Sequence, residues 1–267
     1  MKGGVGKTTV TANLGAALSA LDRKVLLVDM DSQHDLTQSL GLDPFQLKGV
    51  EFLLEKDLKF SDVVKEYNEN LHILPAGKKL KKLELSLSNM MVKAKDSYFC
   101  YLLRNALDNV KEDYDYILVD CPPTAGFLTV NALSFADKVL IPVQCQFLGF
   151  EATKKTLSFI SQIKKFNNPD VKPTTVVPMM YDSRNKLCGI VLDRLKQLFN
   201  GTLTGSIIRI NVSLAEAPAF GKTILDYQPR SRGAEDFLNL GQEIIAQFER
   251  IPFLYPPVEK REAKSEE

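Results

Sequence analysis

The 267-residue sequence predicts an α/β fold in which a mostly parallel central sheet is flanked by helices. Short apolar runs recur along the chain, and segments with apolar residues at helical spacing separate them. Strands that alternate with helices in this way form βαβ units, whose parallel sheet is covered on both faces. A hydrophobic content of 45% is ample for a sizeable core, and we expect residues 1–250 to form a single domain.

Each element follows from the apolar periodicity. A helix begins near Thr9, where apolar residues recur at every third or fourth position. Continuous apolar runs predict buried strands at 24–29, 71–75, 114–120, 138–144 and 174–180. Helical spacing predicts further helices at 99–110, 151–166, 187–198 and 234–248. The proline-led, charged residues 251–267 predict a disordered tail.

Composition excludes several classes of protein. The formal net charge is +1, so a generally basic nucleic-acid binder is not indicated and any DNA contact requires a local patch. The four cysteines form no C-x-x-C pair and only two histidines accompany them, which argues against a zinc site. The sequence has neither a long apolar run nor a secretory signal, and we expect a soluble cytoplasmic protein.

The strongest functional signal is the segment "GGVGKT" at residues 3–8. Its glycines permit backbone angles that turn successive N–H groups toward phosphate oxygens, and the following helix presents its positive end to the same anion. Lys7 supplies a charge to the β- and γ-phosphates, and the Thr8 hydroxyl is suited to ligate Mg²⁺. The segment therefore predicts a nucleoside triphosphate site.

The extended segment "KGGVGKTT" resembles the deviant Walker A motif of the ParA/MinD family of ATPases. "KVLLVDMDSQHDLTQSLGL" resembles the strand and switch I segment of that family, and "YDYILVDCPPT" its Walker B strand and switch II. "NVSLAEAPAFGKTI" and "YQPRSRGAEDFL" resemble later blocks of the ParA (Soj-like) branch, in the expected order. The resemblance covers residues 2 to about 248 and implies a P-loop NTPase fold with ATP and Mg²⁺ as cofactors.

The resemblance also implies roles for individual residues. Lys2 would reach the partner's phosphates across a nucleotide-sandwiched homodimer, and Lys2, Lys7 and Asp31 would be catalytic, with Asp31 orienting or deprotonating the attacking water. Thr8 would bind Mg²⁺ directly and Asp120 through a water, with Asp29 a further candidate for the Mg²⁺ shell. The ATP contacts implied are Lys2, Gly3, Gly4, Val5, Gly6, Lys7, Thr8, Thr9, Arg209 and Asn211.

The chain departs from the family pattern at two places. His34 stands where the switch I pattern has a glycine, which leaves the local conformation of that segment open. The family block resembling "IPRNVRL" is "IIRINVSL" here, so Ser213 replaces a basic residue expected to contact DNA. Asn211 remains, and the resemblance pairs it with Arg209 around the adenine base.

By resemblance, the function is ATP-dependent DNA partition on the nucleoid, in which a ParB-like centromere-binding partner stimulates slow hydrolysis and releases a dimer bound nonspecifically to DNA. Lys222, Arg230 and Arg232 are candidate DNA contacts, and a lysine cluster at 78–82 is either a second patch or a solvated surface. The alternatives are a membrane-cycling MinD-like regulator, an iron–sulfur reductase or an ATPase that positions another cargo. Prolines 252, 256 and 257 disfavour a membrane-binding helix, so no membrane partner is expected.

The position of the phosphate loop raises a question about the sheet. Only Met1 and Lys2 precede the glycines, whereas relatives carry a central strand before the loop. Omitting that strand would forfeit several buried side chains, each worth about 1.5 to 3 kcal/mol. We therefore expect the first central strand to be missing from this chain and the true start to lie upstream.

Overall fold

The computed structural model describes residues 3–94, 97–146, 149–172 and 174–249. Its strands are β1 (Val25–Asp29), β2 (Lys65–Asn68), β3 (Leu71–Leu74), β4 (Tyr116–Asp120), β5 (Leu140–Gln144) and β6 (Thr175–Met179). Its helices are α1 (Lys7–Ala20), α2 (Asp35–Ser39), α3 (Val50–Leu54), α4 (Phe60–Val63), α5 (Leu80–Ala94), α6 (Leu102–Leu107), α7 (Phe127–Phe135), α8 (Gly149–Phe166), α9 (Lys186–Leu198), α10 (Val212–Glu216), α11 (Ile224–Tyr227) and α12 (Arg232–Glu249). The predicted tail at 251–267 lies outside the described residues.

The strands are mostly parallel, as the sequence predicts. One sheet has the order β2-β3-β1-β4, in which β1 runs parallel to both β3 and β4 while β2 is an antiparallel edge strand. A second sheet consists of β5 and β6, also parallel. Asp29 and Asp120 are register partners at the carboxyl ends of β1 and β4, so the two acidic segments meet at one edge.

A cavity of about 850 Å³ lies between the two sheets. Its walls include β4 on one side and β5 on the other, with Val10 and Leu14 of α1 and Ile244 of α12 also lining it. Leu118 and Val119 of β4 are only partly buried beside this space. No described residue forms a strand between β4 and β5, and this is the vacant central position that the sequence predicts.

Helices cover both faces of the larger sheet. On one face α1 packs against β1 and α12, and its core includes Leu18, Leu27 and Phe237. On the other face α3, α5, α6 and α7 bury a second cluster that includes Leu26 and Leu103. Among the described helices, none is both long and apolar enough to cross a membrane.

The predicted helix at 99–110 is shorter and less regular than expected. Residues Ser97–Tyr101 form a 3₁₀ turn, and the α-helix spans only Leu102–Leu107. Asn131 of α7 explains the break, because its amide donates to the Phe99 carbonyl and its oxygen accepts from the Leu103 N–H. Apolar periodicity could not reveal this contact, since Asn131 lies far away in the sequence.

Candidate functional site

The phosphate loop lies directly before α1, and two of its three glycines have positive φ angles. Gly4 and Gly6 have φ angles of 72° and 93°, in the left-handed region that side chains disfavour. Gly6 is the N-cap residue of α1, and a Cβ there would come within 3.0 Å of Cε of Met179. The loop thus leads into the N-terminal end of a 14-residue helix, which attracts anions. Lys2 lies outside the described residues, so its role stays a prediction.

Thr8 joins this loop to the end of β4. Its hydroxyl donates to Oδ2 of Asp120 at 2.6 Å, while Oδ1 of Asp120 accepts from the Cys121 N–H at 3.1 Å. Burial raises the pKa of Asp120 to about 7, and the nearby charge of Asp29 adds to the rise. A hydroxyl and a carboxylate held together in this way are oxygen ligands of the kind that Mg²⁺ prefers. The residues present therefore fit a Mg²⁺ site.

Asp29 organises the loop that carries Asp31. Oδ1 of Asp29 accepts from the Asp31 N–H at 3.0 Å, and Oδ2 accepts from both the N–H and the hydroxyl of Thr37, at 2.9 and 2.6 Å. Asp29 is fully buried, and burial raises its pKa to about 6. Both carboxylate oxygens of Asp29 thus already accept hydrogen bonds from other groups of the protein. The same contacts hold Asp31 at the edge of the sheet where Asp120 lies.

Gln144 is a contact of the phosphate loop that the sequence does not single out. It ends β5, is largely buried, and donates from Nε2 to the Gly4 carbonyl at 2.7 Å. A polar residue at the end of an apolar strand is the only signal that could have indicated it. The contact places the carboxyl end of β5 beside the loop, opposite Asp120 at the end of β4.

Arg209 and Asn211 lie beyond the carboxyl end of β6, at the same edge as the loop. The Arg209 guanidinium binds the carboxylate of Asp236, which is buried in α12, and its backbone N–H donates to the same carboxylate at 2.9 Å. The Asn211 oxygen caps α10 by accepting from the Leu214 N–H at 3.0 Å. Both side chains thus form hydrogen bonds with other residues of the chain. Contact of either residue with adenine stays a prediction.

The candidate DNA residues are exposed. Lys222 lies just before α11, whereas Arg230 and Arg232 lie at the start of α12. None of the three forms an ion pair with another described residue. The lysines at 78, 79, 81 and 82 are also exposed, at the start of α5. Nζ of Lys79 lies 4.6 Å from the centre of the Phe52 ring. Both groups of residues are accessible, and DNA binding by them remains a prediction.

Comparison with known proteins agrees with this site. Residues 1–173 match the family described as AAA domain. The chain is 39% identical over 247 residues to the sporulation initiation inhibitor protein Soj of Bacillus subtilis, covering 92% of this chain and 95% of that protein. It is 36% identical over 246 residues to the chromosome partitioning protein ParA of Myxococcus xanthus, covering 91% of this chain and 85% of that protein.

A solved structure resembles the fold over nearly the whole chain. Cobyrinic acid a,c-diamide synthase from Mycobacterium smegmatis, with a bound ATP analogue and magnesium, superposes with a TM-score of 0.79 at 30% identity. The match covers 95% of this chain and 94% of that one. The two folds therefore agree over nearly the whole of both chains.

Proposed function

Because the chain belongs to the ParA/MinD family of ATPases, in its Soj-like branch, we propose that it partitions DNA through an ATP-driven cycle. The chain is a P-loop ATPase that uses ATP and Mg²⁺. In the proposed cycle ATP closes a homodimer, and the dimer binds DNA without sequence preference in the cytoplasm, on the nucleoid. A ParB-like centromere-binding protein then stimulates slow hydrolysis, which releases the dimer.

The 2.6 Å contact between Thr8 and Asp120 is the observation that carries the ATPase chemistry. It joins the end of the phosphate loop to the end of β4, where a cation bound to the phosphates would lie. Thr8 would bind Mg²⁺ directly, and Asp120 would accept from a water in its shell. The bound Mg²⁺ neutralises charge on the phosphate oxygens. The loop N–H groups and Lys7 hold the phosphates in place.

Asp31 is the residue that we assign to the attacking water. It lies on the loop after β1, beside the acidic edge that contains Asp120, and its carboxylate would orient the water or accept its proton. Asp29 supports this geometry by binding Asp31 and Thr37, so we assign it a positioning role in place of Mg²⁺ coordination. Lys2 would stabilise the transferred phosphoryl group of the partner's ATP.

The test separates hydrolysis from DNA binding. ATP turnover and ATP-dependent retention on nonspecific DNA are measured for the unchanged chain, Asp31→Asn and Lys2→Ala. We expect Asp31→Asn to lower turnover by at least about 100-fold while the protein stays on DNA with ATP, because only the water-orienting group is lost. Lys2→Ala is expected to lose dimerisation, measured by light scattering, as well as turnover.

The DNA residues are tested with a charge-matched control. Arg230→Ala with Arg232→Ala should weaken DNA retention and flatten its dependence on salt, because two phosphate contacts are lost. Lys155→Ala with Lys172→Ala removes the same charge from exposed positions elsewhere and should leave retention unchanged. Equal retention in both double variants would count against the assigned surface. ATP-dependent sedimentation with anionic liposomes, without DNA binding, would instead support a MinD-like regulator.

A further inference from the structure

His34 occupies a backbone conformation that normally belongs to glycine. Its φ angle is 62° and its ψ angle is 23°, in the left-handed region, and it is the N-cap residue of α2. A Cβ makes this conformation unfavourable, and an interaction of the side chain offsets such a cost. The residue lies three positions after Asp31, within the same turn.

The imidazole supplies that interaction. Nε2 of His34 lies 3.1 Å from the carbonyl oxygen of Gly77, in the loop between β3 and α5. Because a carbonyl only accepts, Nε2 must carry the hydrogen and donate it. Gly77 is itself held firmly, since its N–H donates to Oε2 of the buried Glu51 at 2.9 Å and a Cβ on Gly77 would collide with the same carboxylate. His34 is thus attached to a fixed point of the fold.

The attachment is transmitted to Asp31 through the backbone of the turn. The His34 N–H donates to the Asp31 carbonyl at 3.0 Å, and the Gln33 N–H donates to Oδ1 of Asp31 at 3.0 Å. The His34 carbonyl accepts from the Gln38 N–H at 2.9 Å, which continues the turn into α2. Movement of residue 34 would therefore alter the direction of the Asp31 carboxylate.

We propose that His34 is a positioning residue that holds Asp31 in place by anchoring its turn to Gly77. In this proposal His34 acts only through the orientation of Asp31. The inference rests on the proposed role of Asp31 in hydrolysis. It assigns a function to one of the positions at which this chain differs from the family pattern.

The test uses the full chain with ATP and Mg²⁺ and measures kcat, KM for ATP and Tm. His34→Gly keeps the left-handed turn but removes the anchor, and we expect kcat to fall about 10- to 100-fold, since small misplacements of a catalytic group have effects of this size. KM should stay within about twofold because the phosphate loop is untouched. His34→Gln retains a side-chain N–H donor and should recover at least part of kcat.

Two controls make the outcome decisive. Asp22→Gly changes another residue with positive φ, 59°, at an exposed position away from the site, and should leave kcat unchanged. The double variant Asp31→Asn with His34→Gly should be no slower than Asp31→Asn alone, because both changes remove one function. A further loss in the double variant, or a His34→Gly effect no larger than that of Asp22→Gly, would overturn the proposal.

The assignment of Asp31 is checked separately by its single variant. If Asp31→Asn leaves kcat unchanged, the proposed role of Asp31 fails. If kcat nevertheless falls in His34→Gly, His34 must affect hydrolysis by some means other than the position of Asp31. That outcome would also refute the anchoring proposal. If Asp31→Asn is slow while His34→Gly is normal, only the proposal about His34 fails.

Discussion

Among single residues, Asp120 combines a proposed role in Mg²⁺ binding with an electrostatic penalty. The carboxylate is buried at the end of β4, close to Asp29, and burial raises its pKa to about 7. A buried negative charge without a cation is unfavourable, and the hydrogen bonds from the Thr8 hydroxyl and the Cys121 N–H offset only part of that cost. The site is thus arranged so that a cation improves its stability.

This arrangement predicts a dependence of stability on pH. In the unfolded chain Asp120 ionises near pH 4, whereas in the folded protein it keeps its proton to about pH 7. The unfolded state therefore binds fewer protons over this range, and the free energy of unfolding falls as the pH rises from 4 to 7. Asp120→Asn stays neutral, so without nucleotide and Mg²⁺ we expect it to be more stable than the unchanged chain at pH 7.5, by on the order of 3 kcal/mol.

Thermal unfolding at pH 4.5 and pH 7.5 measures this difference. The gain in Tm of Asp120→Asn should be present at pH 7.5 and small at pH 4.5. Asp182→Asn is the matched control, because Asp182 is paired with Arg184, which lowers the pKa of Asp182, and its amide variant should show no gain. A Tm for Asp120→Asn below that of the unchanged chain at pH 7.5 would contradict the expected sign.

At the scale of elements, α1 connects the phosphate loop to the C-terminal part of the chain. Asn13, on the buried side of α1, accepts from the Ile224 N–H at 2.7 Å and donates to the Thr9 carbonyl at 2.8 Å. The first bond fixes the start of α11, and α12 packs along the same helix α1. The helix that follows the phosphate loop is therefore also a central support of the fold.

Asn13→Ala tests how much this connection contributes. The variant leaves the Ile224 N–H without its acceptor in a buried position, and we expect a loss of about 1 to 3 kcal/mol in the free energy of unfolding. Asn185→Ala removes an equivalent acceptor, from the N-cap of α9, but in an exposed position where water can replace it. Urea unfolding should show a smaller loss for Asn185→Ala, and equal losses would mean that burial does not set the cost.

At the scale of the whole molecule, the cavity between β4 and β5 divides the sheet. Each of these strands has five residues, and both end beside the phosphate loop, at Asp120 and Gln144. A strand placed between them and parallel to both would lead directly into the loop. Such a strand would be covered on both faces, so its side chains would need to be apolar.

We predict that the cavity accepts a strand supplied ahead of the loop. A variant with five apolar, β-branched residues fused before Met1 should have a higher Tm than one with five glycine and serine residues at the same place. Each buried side chain contributes about 1.5 to 3 kcal/mol, against about 1 to 2 kcal/mol per residue for ordering the backbone, so the net gain is expected to be a few kcal/mol. Equal Tm values for the two fusions would show that the cavity does not take a strand.

Much of the fold could be predicted because its signals are local. The strands ending at Asp29 and Asp120 are continuous apolar runs, and the long helices α8, α9 and α12 have strong apolar periodicity, so their bounds agree with expectation within a few residues. Short elements such as α2 and α4 span four or five residues and carry too little periodicity to be recognised. The edge strand β2 is the polar segment Lys65–Asn68, which has no apolar run to predict it and depends on pairing with β3.

The phosphate loop is predictable from local sequence, because three glycines with Lys7 and Thr8 at fixed spacing supply the backbone freedom and the side-chain groups that such a loop needs. Which distant residues contact that loop and the neighbouring turn depends on how the chain packs. Thr8 with Asp120, Gly4 with Gln144 and His34 with Gly77 are each separated by tens of residues or more. These contacts depend on how strands and helices pack, and hydrogen bonds formed across that packing leave no local pattern in the sequence.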